Sequence, residues 1–314
     1  IDQFMDNTVG LSIGYAHMDS PAPGFQNEAW GYADGPNGTK VFGGGKVYHF
    51  DNNNTRDGLM ATLQFKPSEF YEGTIDFFLS EFDKTEVKTG LEFGTAWGQG
   101  QLQPGYTVNS SGTITDSDWT NVKPVLRMDS NPINDDLYSF GWNNKFKISD
   151  NWSIIADVSV SNATHKFQFL ETYAGLNGAG TTDLNVSLDP SGDFNNFTWG
   201  EDFSDPANLQ LIDAGNWGQD GYLKNFEVKD KLQAFRVDAI RTFDDSMFSS
   251  LEFGVNYTDR SKTKSSDEYK LCITDCTYPG GVKDTAPFPG QSTPFNVAGS
   301  GISNLASYDA NDLL

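Results

Sequence analysis

Period-two alternation of apolar with polar or small residues constrains this chain more than any other feature. Val9, Leu11, Ile13 and Tyr15 alternate with Gly10, Ser12, Gly14 and Ala16. Leu59, Ala61, Leu63 and Phe65 alternate with Met60, Thr62 and Gln64, and Ile75, Phe77 and Leu79 with Thr74, Asp76 and Ser80. Tyr138, Phe140, Trp142 and Phe146 are set against Ser139, Gly141, Asn143 and Lys145. The same holds for Trp152 to Ser161, for Ala234 to Ala239 and for Ser250 to Tyr257. Successive side chains of a strand point to opposite faces, so each segment has one apolar face and one polar or small face. Helical spacing is almost absent.

The connections carry a second pattern. Short turns are expected near residues 5–8, 66–69, 149–151 and 244–246, with Pro67 unable to continue a central ladder. Between them lie long polar excursions, roughly 20–55, 85–135, 170–228 and 267–314. Short and long connections alternate, and loops this long are usually functional. Charged residues stand mid-strand on one face (Asp76, Asp157, Arg236, Glu252), and the opposite face is apolar. Short turns at one end, long loops at the other and a wet inner face together predict an all-β fold. It is an antiparallel transmembrane β-barrel with long extracellular loops. Phe4, Phe70, Trp152, Phe243 and Phe248 at strand ends suit an interfacial girdle. The competing reading is a secreted, soluble β protein whose rings cap an ordinary core. About seven strands are legible, with Ile1–Phe4 as an eighth, and the chain ends on a polar loop. It is therefore expected to be part of a larger barrel, with strands missing at both ends.

Composition agrees. The net charge of −22 argues against nucleic acid, whose phosphates need clustered Lys and Arg. It also argues against a basic lipid-binding patch. Only 37% of residues are hydrophobic, yet 14% are aromatic, which a disordered acidic chain would not show. No run of about 18 apolar residues predicts a membrane helix. Ile1 opens directly onto a polar pattern, so no signal peptide is expected.

With these features in place, Phe4–Ala16 and Leu251–Lys262, together with Asn225–Phe243, resemble barrel hairpins of TonB-dependent receptors. The subfamily is the one first described from Xanthomonas and Caulobacter proteins. The resemblance implies a 22-stranded barrel with an N-terminal plug in the outer membrane of a Gram-negative bacterium. Such receptors import scarce nutrients with energy passed from an inner-membrane TonB complex. Residues 1–314 would be part of that barrel domain, without the plug, the TonB-contacting segment or the C-terminal strands. The implied partners are outer-membrane lipid, the TonB complex through the missing plug region, and a small polar nutrient, an oligosaccharide first. A ferric-siderophore or haem receptor is the alternative, which acidic loops disfavour, and a passive porin or adhesive barrel is a further one.

No cofactor and no catalytic constellation is expected. His17, His49 and His165 are scattered. Gly43–Lys46 lacks the spacing of a phosphate loop. Asp51–Asn54 and Asp183–Asp193 are rich in the hard oxygens that suit Ca²⁺ but lack the EF-hand pattern, and no metal site is assigned. The sequons at Asn109 and Asn196 carry no weight. Trp30, Trp97, Trp119, Trp199 and Trp217 all fall in the long excursions, near Asn and Asp. Indole faces stack on sugar rings while polar neighbours bond hydroxyls, which makes these five the candidate substrate-binding residues, against a reading in which they form small cores inside the loops. Cys272 and Cys276 enclose three residues and are expected to form a disulfide in an oxidising compartment, contributing about 2 kcal/mol.

Overall fold

The computed structural model describes residues 2–4, 8–188, 194–244 and 246–314, with the backbone alone described for 2–4. The ring of Phe4, most of the turn expected at 5–8, Asp245 of the last turn, and residues 189–193 of the acidic stretch lie outside these.

The chain is all-β and antiparallel. In chain order the strands are β1 (Asp2–Phe4), β2 (Val9–Pro21), β3 (Gly24–Asp34), β4 (Lys40–Ser68), β5 (Tyr71–Gly94), β6 (Gln101–Leu102), β7 (Thr107–Val108), β8 (Ile114–Ser130) and β9 (Ile133–Ser149). There follow β10 (Trp152–Leu176), β11 (Thr182–Ser187), β12 (Asn196–Trp199), β13 (Leu209–Leu211), β14 (Gly221–Thr242) and β15 (Ser250–Leu271). Three short strands close the chain: β16 (Ala286–Pro287), β17 (Gln291–Pro294) and β18 (Asn304–Ser307).

Two pairs of strands are collinear. β2 and β3 both lie along β4, one on its Asn53–Phe65 part and one on its Lys40–Phe50 part. β8 and β9 both lie between β5 and β10. Proline makes both breaks, since it has no N–H for the ladder. At the first break, around Pro21 and Pro23, the Ala22 N–H still reaches the Asn52 carbonyl at 2.8 Å. At the second, Pro132, the Asn131 N–H bonds the Glu86 carbonyl at 2.8 Å. The sheet therefore runs from β1 through β2/β3, β4, β5, β8/β9, β10 and β14 to β15.

Register sorts the side chains. The row Leu11, Leu63, Ile75, Trp142, Val158, Phe235, Tyr257 is apolar from end to end. The neighbouring row, Gly10, Gln64, Thr74, Asn143, Asp157, Arg236, Asn256, lies on the other face and is polar or small. On the apolar face of β5 the band extends from Tyr71 to Leu79, about 26 Å at ~3.3 Å per residue. Aromatic contacts mark its lower edge: Phe65 with Tyr71 at 5.3 Å, Tyr71 with Phe146 at 4.9 Å, and Trp152 with Phe253 at 6.3 Å. Arg241 lies over Trp152 and Phe243. Above the band the same face turns polar or charged within one row, at His17, Asp57, Glu81, Asp136, Thr164 and Lys229. The upper limit descends four residues across the sheet, from the row of Tyr15, which ends at Ser261, to Tyr257. Such stagger is what tilted strands produce.

Nothing in the described chain covers the band. Trp142 is 42% exposed and Phe140 38%, although both stand on an inner strand. Higher up, the same face is buried. Val47, Leu91, Phe93, Leu126, Met128 and Ala174 are packed under Phe197, Phe203, Leu209, Phe295 and Leu305 from the connecting segments. The chain thus spends its covering segments at one end of the sheet.

The long excursions differ from expectation. Much of 40–54, 85–94, 123–130, 170–176, 221–228 and 267–271 is ladder, not loop. Where both faces are polar, as at Asp51–Asn54 and Ser265–Glu268, the side-chain alternation fades while backbone pairing continues. Backbone amides of 44–54 on β4 that face β5 should accordingly exchange with solvent as slowly as those of 59–65, measured by hydrogen exchange. Exchange at loop rates in 44–54 would contradict the extended ladder.

Candidate ligand cleft

The polar face of the sheet carries a buried ionic cluster just below the connecting segments. Arg127 on β8 stands opposite Tyr173 of β10 and Gly90 of β5, and Asp129 opposite Glu171 and Lys88. The Arg127 guanidinium takes Asp129 in a two-point pair (Nε 3.1 Å, Nη2 2.9 Å), Glu92 at 3.0 Å, and Glu171. Lys88 reaches Asp129 at 2.7 Å and lies over the Tyr48 ring. Tyr48 donates its hydroxyl to Glu92, and Tyr173 donates to Glu171 at 2.7 Å. Burial alone would lower the Arg127 pKa, but the charges of Asp129, Glu171 and Glu92 outweigh it and raise it. Burial, with Glu171 alongside, likewise keeps the Tyr173 phenol protonated well above its ordinary range.

Next to this cluster is a cleft of about 250 Å³, lined by Trp30, Trp97 and Trp217 with Glu92, Gln99, Lys123 and Asn216. Three of the five tryptophans expected to bind substrate therefore meet in one place, although they come from residues 30, 97 and 217. The other two do not join them. Trp119, 2% exposed, lies in the upper core with its indole N–H on Ser117 Oγ at 2.9 Å. Trp199 packs edge-on against Phe93 (4.8 Å) and Phe203 (5.3 Å), and its N–H is used by the Ser300 carbonyl at 2.9 Å. Both of these rings pack into the upper core, Trp119 buried within it and Trp199 partly buried against it.

Glycine makes room for the cleft. A Cβ on Gly43 would lie 2.6 Å from the Trp97 ring, and one on Gly44 2.6 Å from Trp30. The Gly43–Lys46 stretch is strand, and the missing side chains at Gly43 and Gly44 admit two indoles. Asp51–Asn54 is also ladder, paired with 84–87 of β5. Among the described residues no group of three or more His, Cys, Asp or Glu could hold a metal ion.

Trp217 is held from behind. Its ring packs on Tyr173 at 4.6 Å, with Arg127 at 5.9 Å. The buried Asp213 carboxylate accepts the N–H of Trp217 and of Gly218, each at 2.8 Å. Asp220 at the end of the same loop accepts the Asp213 N–H (3.1 Å), the Ile273 N–H (2.8 Å) and the Tyr278 hydroxyl (3.1 Å). Ile273 lies inside the ring closed by the Cys272–Cys276 disulfide, which the structure contains as expected. The bridge is thus tied through Asp220 to the wall of the cleft.

No family model matches the chain, and no curated protein or solved structure matches it.

Arg127→Met should destabilise the fold by about 3–5 kcal/mol in denaturant titration, because three carboxylates lose their buried partner. An effect under about 1 kcal/mol would refute the cluster. Reducing the Cys272–Cys276 bridge should change indole fluorescence in the wild-type chain and not in Trp217→Phe. An equal change in both would show that the tether does not reach Trp217.

Proposed function

We propose that this chain forms part of a TonB-dependent receptor barrel in the outer membrane of a Gram-negative bacterium, taking up a polar nutrient, an oligosaccharide first. The observation that carries the reading is the bare apolar band. It is about 26 Å tall, close to the roughly 25 Å lipid-facing zone of outer-membrane barrels. It has aromatic rings along one edge and a polar or charged row along the other, and the opposite face is polar across the same strands. A soluble protein would bury such a band. Lipid on one side and a wet lumen on the other satisfy both faces.

The cleft gives the reading its ligand. It opens on the lumen-type face, above the band, where a nutrient arriving from outside would be captured. Three indoles offer flat apolar platforms, and Gln99, Asn216 and Glu92 supply hydrogen-bonding groups for hydroxyls. Coupling to the inner-membrane complex would run through the plug that the family supplies. A ferric chelate is the competing cargo within the same class, and a direct comparison of the two ligand types decides between them.

Gly141 and Trp142 are neighbours on opposite faces, and a Cβ on Gly141 meets open space. In lipid, Trp142→Arg should therefore cost about 2–4 kcal/mol and Gly141→Arg less than about 1 kcal/mol. Recovery of the protein from water without detergent, with the two variants equally tolerated, would overturn the membrane assignment. Against a panel of oligosaccharides, alanine at Trp30, Trp97 or Trp217 should lower affinity about fivefold, roughly 1 kcal/mol. Alanine at Trp119 or Trp199 should lower stability instead. Unchanged affinity in all three cleft variants would remove the cleft from the proposal.

A further inference from the structure

Lys123 lines the cleft and has no ionic partner among the described residues. It stands opposite Gly94 in the β5–β8 ladder, on the face that carries Glu92 and Arg127. It is half-buried, and among the described residues its ammonium makes no ion pair and no hydrogen bond. Lysines elsewhere without an ion pair, such as Lys145, Lys166 and Lys270, are exposed, where water satisfies them. An ammonium withdrawn from water without a partner costs free energy. Burial, then the nearby charge of Lys283, lowers the Lys123 pKa, against Asp213. In a chain with 43 acidic and 21 basic residues, a cation left unpaired in an aromatic cleft is informative.

The acidic groups around it are already engaged. Glu92 is two residues further down β5, about 7 Å of strand, and is taken by Arg127 and Tyr48. Asp213 is taken by the Trp217 and Gly218 N–H groups and by Lys283. Lys283 itself donates to the Asp213 carbonyl and to Asn216 Oδ1. The cleft therefore holds one charge that is closed off, on Glu92, and one positive charge that is open, on Lys123.

We propose that the ligand of this cleft carries an anionic group, a carboxylate or sulfate on a sugar ring, that docks on Lys123 while its rings lie against Trp30, Trp97 and Trp217. This rests on the cleft being the ligand site. The anion completes an ion pair in a part-desolvated setting, where charge-assisted hydrogen bonds are stronger than on an open surface. Glu92, a diagonal neighbour of Lys123 on the same face, disfavours a second anion, so the preferred ligand carries a single charge at Lys123.

The test uses the folded chain in detergent micelles and calorimetric titration with three probes: trigalacturonate, its methyl ester and a sulfated maltotriose. The acid should bind about tenfold tighter than the ester, which keeps the rings and loses the charge. Lys123→Gln should abolish that preference, Lys123→Arg should retain most of it, and added salt should weaken the acid and not the ester. Binding of the sulfated probe in place of the acid would support the proposal with sulfate as the anion. Equal binding of acid and ester, or a preference that survives in Lys123→Gln, would overturn it and leave the cleft itself standing. Failure of every probe to bind would overturn both.

Discussion

The structure depends on an antiparallel register that holds across seven long strand positions. Backbone hydrogen bonding alone would permit many alignments, but a slip of one residue would exchange the two faces of a strand. Here Leu11, Leu63, Ile75, Trp142, Val158, Phe235 and Tyr257 fall in one row, although they are far apart in sequence. Each pairing is supported by the next, so one set of side chains specifies the whole sheet. The same register places Asn144 among apolar neighbours, and it is satisfied there by the Tyr71 hydroxyl at 2.7 Å.

That sheet has two regimes along its length. Below, it is held by its ladder and short turns, with the apolar face bare. Above, connecting segments fold over the same face and bury a core around Phe93, Leu126 and Phe197. The ionic cluster of Arg127 lies at the level of this cap but on the opposite face, next to the tryptophan cleft. Close-packed charges there hold β5, β8 and β10 in fixed relation, and the cleft is built on that rigid base. Asp213, Asp220 and the disulfide then fix the wall that comes from the loop before β14.

The sequence showed where the strands begin near their short turns, and which face of each is apolar. Lys66–Glu69 and Ser149–Asn151 were legible because Pro, Asp and Asn punctuate strong alternation. The upper strands were not, because stretches such as Asp51–Asn54 are polar on both faces and pair through backbone alone. β8, in line with the legible β9, was hidden because it falls inside the expected excursion 85–135, with Pro124 within it and Pro132 at the junction. Among the tryptophans, residue type could not separate Trp97, which lines the cleft, from Trp119, which fills the core; only their neighbours do. The Arg127 cluster left a faint trace, opposite charges two apart in Arg127–Asp129 and an acid two before an aromatic in Glu171–Tyr173. Its members become a site only once register brings β5, β8 and β10 side by side.

If one face of this sheet meets lipid and the other water, different molecules should reach each. Spin labels placed singly on cysteines at 138 through 143, on the inner strand β9, measure this directly in reconstituted vesicles. Collision with lipid-soluble oxygen should peak at 138, 140 and 142, and collision with a water-soluble nickel chelate at 139, 141 and 143. Equal access to the chelate at both sets of positions would contradict the account.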